Sequence, residues 1–137
     1  MSKKRADSVN EAEVRNLVER WADAVRRRDI EAILRDHASD IWMFDVPPPF
    51  ERTGVESYAG SWDLFFSASP TPAVFDIVEM KITAGNDVAF VVALMRCVMI
   101  AKGKAPEDLD FRLTIGLRKI GDRWTIVHEH HSVPADD

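Results

Sequence analysis

Apolar residues recur at a helical period in the first part of the chain. Val14, Leu17, Val18, Trp21 and Val25 fall on one stripe, with charged residues between them. The stripe closes on Arg26-Arg27-Arg28, cations that suit the negative end of a helix dipole. Asp29 offers an N-cap carboxylate to a second, shorter helix with Ile30, Ile33 and Leu34 on its apolar side. His37 closes that helix and is read as a surface or capping residue. Ile41-Trp42-Met43-Phe44-Asp45-Val46 is a strand pattern, ended by Pro47-Pro48-Pro49 because proline cannot continue a ladder. After Thr53-Gly54 a third helix is expected over residues 55–66, burying Tyr58, Trp62 and Phe65 or Phe66.

From Pro72 onward the helical period gives way to strands. Residues 74–83 form one, Gly85-Asn86-Asp87 turns the chain, and 88–100 is a long, nearly continuous apolar run. A strand apolar on both faces needs cover on both. Helices supply one side, and a second subunit is the simplest cover for the other. After a loop at Lys102-Gly103-Lys104-Ala105-Pro106, the next strand alternates cleanly. Phe111, Leu113, Ile115 and Leu117 point inward, and Arg112, Thr114 and Arg118 outward. Gly121-Asp122 turns into a final strand over 124–134, which carries His128, His130 and His131, three of the four histidines. Helices followed by an antiparallel meander make an α+β domain with the helices on one sheet face.

Composition narrows the function classes. The 137 residues suit a single domain, 1–137, with a flexible, polar N-terminal lead over about residues 1–8. A net charge of −5 argues against nucleic acid, whose phosphates need a basic face. The single cysteine, Cys97, cannot form an internal disulfide and reads as a small buried hydrophobe. No apolar run reaches the ~20 residues of a membrane span, and no signal-peptide segment is visible, so a cytoplasmic protein is expected.

Three stretches carry a family resemblance. They are Asp29-Ile30-Glu31-Ala32-Ile33 through Asp40 to Phe44-Asp45-Val46-Pro47, Gly54 at the start of the third helix, and Trp124-x-x-Val127-His128-x-His130-x-Ser132. Together they resemble the nuclear transport factor 2-like superfamily, which includes ketosteroid isomerase, the SnoaL-like polyketide cyclases and the association domain of calcium/calmodulin-dependent protein kinase II. The resemblance implies a cone-shaped (cystatin-like) fold, with three N-terminal helices packed on a strongly curved antiparallel sheet around a deep pocket. It also implies a homodimer through the outer sheet face.

The same resemblance places Asp45 on the general base of ketosteroid isomerase. The oxyanion donors of that enzyme are replaced here by Trp21 and Ile115, and its supporting tyrosine by Trp62. Losing such donors typically costs ~10²–10³ in rate for each, so efficient steroid isomerisation is not expected. Arg96, which interrupts the apolar strand, is expected to supply a forked cationic donor for an enolate or carboxylate. Trp21, Met43, Trp62, Phe66 and Ile115 are expected to shape the pocket.

The last strand has two possible registers. A strict two-residue turn pairs Ile115 with His128 and Leu113 with His130, putting those histidines inside. The family comparison favours Val127, Glu129 and His131 inside, which needs a bulged or odd-length turn. A one-residue slip reverses every side chain, so only one can hold. Glu129 and His131 are the favoured pocket pair, leaving His128 and His130 at the dimer face. His128-x-His130 alone supplies too few ligands for a metal, and Ser132 lacks a nucleophile elbow. No cofactor is expected. Asp45 as base, with Arg96 and His131 stabilising charge, points to metal-independent proton abstraction beside a carbonyl, as in isomerisation or cyclisation. The competing class is a non-catalytic ligand-binding or assembly domain.

Overall fold

The computed structural model describes residues 3–70 and 74–135, so the change of period placed at Pro72 lies outside the described residues. Among the described residues, three helices, α1 (Lys3–Arg27), α2 (Ile30–Leu34) and α3 (Val55–Ala68), accompany seven strands. These are β1 (His37–Phe44), β2 (Arg52–Thr53), β3 (Val74–Ala84), β4 (Val88–Met99), β5 (Glu107–Asp108), β6 (Phe111–Ile120) and β7 (Arg123–Ser132). No described helix is long and apolar enough to cross a membrane.

The local signals explain the helices. Val14, Leu17, Val18, Trp21 and Val25 are all buried, and α1 lies against β3. The helix reaches back to Lys3, through residues expected to form a polar lead. Asp29 caps α2, its Oδ1 accepting from the Ala32 amide at 3.1 Å. Gly54 sits at φ 93° ahead of α3, a left-handed conformation that disfavours a side chain.

The sheet runs β2-β1-β7-β6-β4-β3, with short β5 added to β4. All pairings are antiparallel except β1 with β7, which is parallel and departs from the fully antiparallel sheet expected. Register shifts in β3, β7 and between β1 and β7 mark the irregularities that bend a sheet into a curved one. Ala89, Val91, Ala93, Met95 and Cys97 of β4 face the helices and are buried. Phe111, Leu113, Ile115 and Leu117 of β6 join them, as the alternation anticipates. The other row of β4, Val88, Phe90, Val92 and Leu94, is exposed in the single chain.

Two expectations about β1 and β7 need correcting. His37 does not end a helix at the surface; it opens β1, and its side chain is 1% exposed. In β7, Val127 does not point inward. Gly121 (φ 55°) and Asp122 (φ 65°) form the two-residue hairpin turn, and the ladder is regular from Ile120–Arg123 to Leu117–Ile126. Val127 is then skipped, and pairing resumes as Gly116–His128, Ile115–Glu129 and Leu113–His131. Thus Trp124 and Ile126 face inward before this bulge, and Glu129 and His131 after it.

Candidate functional site

Glu129 is fully buried, and a carboxylate in that position must be hydrogen-bonded or neutral. It has three side-chain partners. The Tyr58 hydroxyl donates to Oε2 at 2.7 Å, His37 Nε2 bonds the same oxygen, and His131 Nε2 lies 2.9 Å from Oε1. Burial alone would raise the Glu129 pKa. The His37 charge and the hydrogen bonds from His131 and His37 outweigh it and hold the carboxyl down at about 2. An ionised carboxylate only accepts, so both imidazoles present an Nε2–H to it.

Tyr58 extends the network into α1, because its hydroxyl accepts from Trp21 Nε1 at 3.0 Å. Burial, and next the charge of Glu129, push the phenol well above its ordinary value, keeping it a neutral donor. The His37 ring stacks on Tyr58 with centroids 4.4 Å apart. Sequence reading placed Tyr58 in the core without a polar role and missed His37 as a partner of Glu129.

On the far side of His131 lies a cavity of about 370 Å³ at the end of the sheet where β1, β4 and β7 finish and β3 and β6 begin. Met43, Trp62, Phe65, Phe75, Met99 and Phe111 are among the large apolar residues that line it. His131 stacks on Phe111 with centroids 5.1 Å apart and keeps Trp62 at 6.1 Å. Asp45 lines the cavity where the chain leaves β1, and its Oδ1 is 3.6 Å from His131 Nδ1. Ser61, the third polar lining residue, donates its hydroxyl to the Tyr58 carbonyl within α3. Cys97 also lines the cavity, where burial and nearby Asp110 push its thiol up to about 11, so the nucleophilic thiolate is suppressed.

The fold brings Asp45, His131, Met43 and Trp62 to the cavity wall. Glu129 sits one layer behind His131, and Trp21 backs the wall at 5.9 Å from Trp62. The remaining expected site residues lie elsewhere. Ile115 is buried in the core beside Glu129 in the ladder. Phe66 turns away to lie under the Arg28 guanidinium, 4.6 Å from its ring centroid, while Phe65 takes the place in the wall. Arg96 projects from the exposed face of β4, opposite the cavity. β4 alternates strictly there, so Met95 and Cys97 point in and the arginine between them points out. Among the described residues, the lining therefore contains a carboxylate and an imidazole but no lysine or arginine.

The outward face of β1 and β7 carries its own aromatic group. Phe44 contacts His128 and His130 with centroids 5.0 and 5.3 Å away, and His128 Nδ1 meets the Trp42 carbonyl at 2.5 Å. Burial, followed by His128, His131 and Arg112, lowers the His130 pKa.

Comparison with known proteins gives a consistent family signal. A family model described as a SnoaL-like domain matches residues 14–136. A solved NTF2-like protein of unknown function from Pseudomonas putida KT2440 is 33% identical, with a TM-score of 0.85 over 94% of this chain and 89% of that one. A ketosteroid isomerase-like protein from Erwinia carotovora atroseptica SCRI1043 is 18% identical (TM-score 0.75, 91% of this chain and 98% of that one). A cystatin-like fold protein of unknown function from Nostoc punctiforme PCC 73102 is 15% identical (TM-score 0.75, 93% of both chains). The latter two likenesses concern the fold. None of the curated proteins matches the chain.

Proposed function

Because the chain belongs to the SnoaL-like domain family, we propose that its cavity takes a small, largely apolar carbonyl compound and moves a proton on it without a metal. The observation that carries this reading is His131, set between Glu129 at 2.9 Å and Asp45 at 3.6 Å on the cavity wall. The buried carboxylate fixes one ring nitrogen and leaves the other facing Asp45. Asp45 takes a proton from the carbon beside the carbonyl, and the electron pair moves onto the oxygen. A protonated His131 donates its Nδ1–H to that oxygen, and Glu129 supports the imidazolium. Return of the proton to another carbon completes an isomerisation; attack of the enolate carbon on a second carbonyl closes a ring, and the resulting alkoxide takes the proton back from Asp45. An acid–base pair of this kind contributes about 10²–10⁴ in rate. Arg96 has no part in it, and with no lysine or arginine among the described lining residues and the Asp45 carboxylate at the wall, an uncharged ligand is favoured over a carboxylate.

The test is exchange of deuterium from D2O into the α-positions of small cyclic ketones and lactones, followed by NMR. Wild-type protein accelerates exchange for members of the panel. Asp45→Asn and His131→Gln each lose at least a hundredfold while keeping the wild-type circular dichroism. Full activity in Asp45→Asn, or no acceleration by wild type, rejects acid–base catalysis in favour of a binding module.

We also propose that the exposed row Val88, Phe90, Val92 and Leu94 of β4 pairs with a second copy of the chain. An apolar row of this kind on an open sheet face favours burial against another surface. Phe90→Glu places a charge in its middle. Light scattering is expected to show a dimer for wild type and a monomer for the variant; a monomeric wild type removes the proposal.

A further inference from the structure

The loop that follows β1 begins at the cavity and ends in solvent. Asp45, Val46 and Pro47 line the cavity, yet Phe50, three residues later, is 94% exposed. A phenyl ring left in water beside an apolar cavity has much to gain from moving onto it. Three residues span at most about 11 Å of extended chain, so Phe50 is tethered within reach of the mouth. The rim is itself apolar and partly exposed, at Val46 on the loop and Leu64 on α3.

The loop is held at its ends and free between them. Met43 pairs with Arg52 across β1 and β2, Gly54 N bonds the Ile41 carbonyl at 2.8 Å, and Arg52 reaches the Ser57 carbonyl of α3 at 2.9 Å. Among the described residues, no hydrogen bond joins residues 46–50 to another element; the Val46 amide bonds only the adjacent Asp45 carboxylate. Pro47-Pro48-Pro49 restricts the backbone torsions available, which stiffens the tip between its two anchored ends. Rigid anchors around a stiff, unattached tip are the construction of a strap.

We propose that residues 46–50 form a strap that closes over a ligand in the cavity, with Phe50 sealing the mouth. Closure covers the apolar part of the ligand and excludes water from Asp45 and His131. The inference rests on the reading that the cavity takes an apolar ligand, and it is independent of the acid–base chemistry assigned to that ligand.

The experiment is a fluorescence titration with N-phenyl-1-naphthylamine, a neutral aromatic probe, combined with stopped-flow dissociation. Wild type, Phe50→Ala, Phe50→Leu and Ala68→Trp are compared; Ala68 lines the cavity, and an indole there occupies it. Wild type binds the probe and Ala68→Trp does not. Phe50→Ala binds about tenfold or more weakly, through faster dissociation at an unchanged association rate, and Phe50→Leu stays near wild type. Phe50 is exposed in the free protein, so its replacement leaves the melting temperature unchanged. Equal affinity and dissociation rate in wild type and Phe50→Ala overturn the strap while leaving the cavity reading intact. Failure of wild type to bind, or unchanged binding by Ala68→Trp, overturns both the strap and the apolar-ligand reading. The deuterium-exchange result bears on neither.

Discussion

His131 Nε2 stands 2.9 Å from Glu129 Oε1, and the two side chains leave the same face of β7 two residues apart. Residues i and i+2 of a strand share a face, so a Glu-x-His sequence at the buried end of a strand places a charged acceptor beside an imidazole. The carboxylate is fully buried, and the imidazole reaches from it to the cavity. This pairing links the stability of the fold to the chemistry of the wall, and its pH dependence follows from Glu129.

The Glu129 carboxyl is held at about 2 in the folded chain, against an ordinary value of 4.5. Between those values the unfolded chain binds a proton that the folded chain does not, so stability rises with pH through that window. Glu129 therefore contributes fully above pH ~4.5 and loses its contribution as pH falls towards ~2. Urea unfolding of wild type and Glu129→Gln at intervals from pH 6 to pH 2 is expected to show wild type the more stable by a few kcal/mol at pH 6. The gap closes towards pH 2. A gap that stays constant, or widens in acid, contradicts the ionised assignment.

Tyr58 serves two buried partners with one hydroxyl, donating to Glu129 at 2.7 Å and accepting from Trp21 at 3.0 Å. Tyr58→Phe keeps the ring and its stacking on His37 but strands the indole N–H and removes a donor from the carboxylate. The expected cost is about 1–3 kcal/mol, the range for unsatisfied buried polar groups. The midpoint of urea denaturation measures it. Because the cavity wall is unchanged, probe affinity in the same variant stays near wild type.

The legible parts of this chain were those governed by local periodicity. The α1 stripe, the Asp29 cap and the in–out alternation of β6 each depend on a few neighbouring residues, and each is present. His37 was not legible because its partner Glu129 is 92 residues away and the polar pair Ser39-Asp40 masks the start of β1. The β7 register was legible only as a choice. The turn is the two-residue type implied by Gly121-Asp122, but the bulge at Val127 reverses its consequence beyond Ile126. The side taken by Arg96 was not legible either. β4 reads as apolar on both faces in the sequence, so its period does not say which face Arg96 takes; the fold places it outward with Leu94, against what the family resemblance implies.

Arg96 consequently supplies a negative control. Its side chain stands on the exposed face of β4 beside Asp76 in the β3 ladder, away from the cavity. Arg96→Met is expected to change unfolding free energy by no more than about 0.5 kcal/mol, as for surface substitutions generally. It should also leave probe affinity and ketone exchange at wild-type values. Loss of exchange in Arg96→Met, with the fold intact, would falsify the placement of the reactive groups on the inner wall.

His37 and Glu129 form the other arm of the buried network, and His37 is the largest charge contribution lowering the Glu129 pKa. His37→Phe preserves a ring against Tyr58 but leaves an ionised carboxylate with one donor fewer. Glu129→Gln removes the charge that His37 serves. Either substitution alone breaks the pair; once one is made, the other has less to remove. The double variant is therefore expected to lose less than the sum of the singles, with a coupling of about 0.5–3 kcal/mol. Four urea curves at pH 7 measure it. The direct bond between the two side chains requires that non-additivity; simple additivity would mean that His37 packs against Tyr58 without engaging the carboxylate.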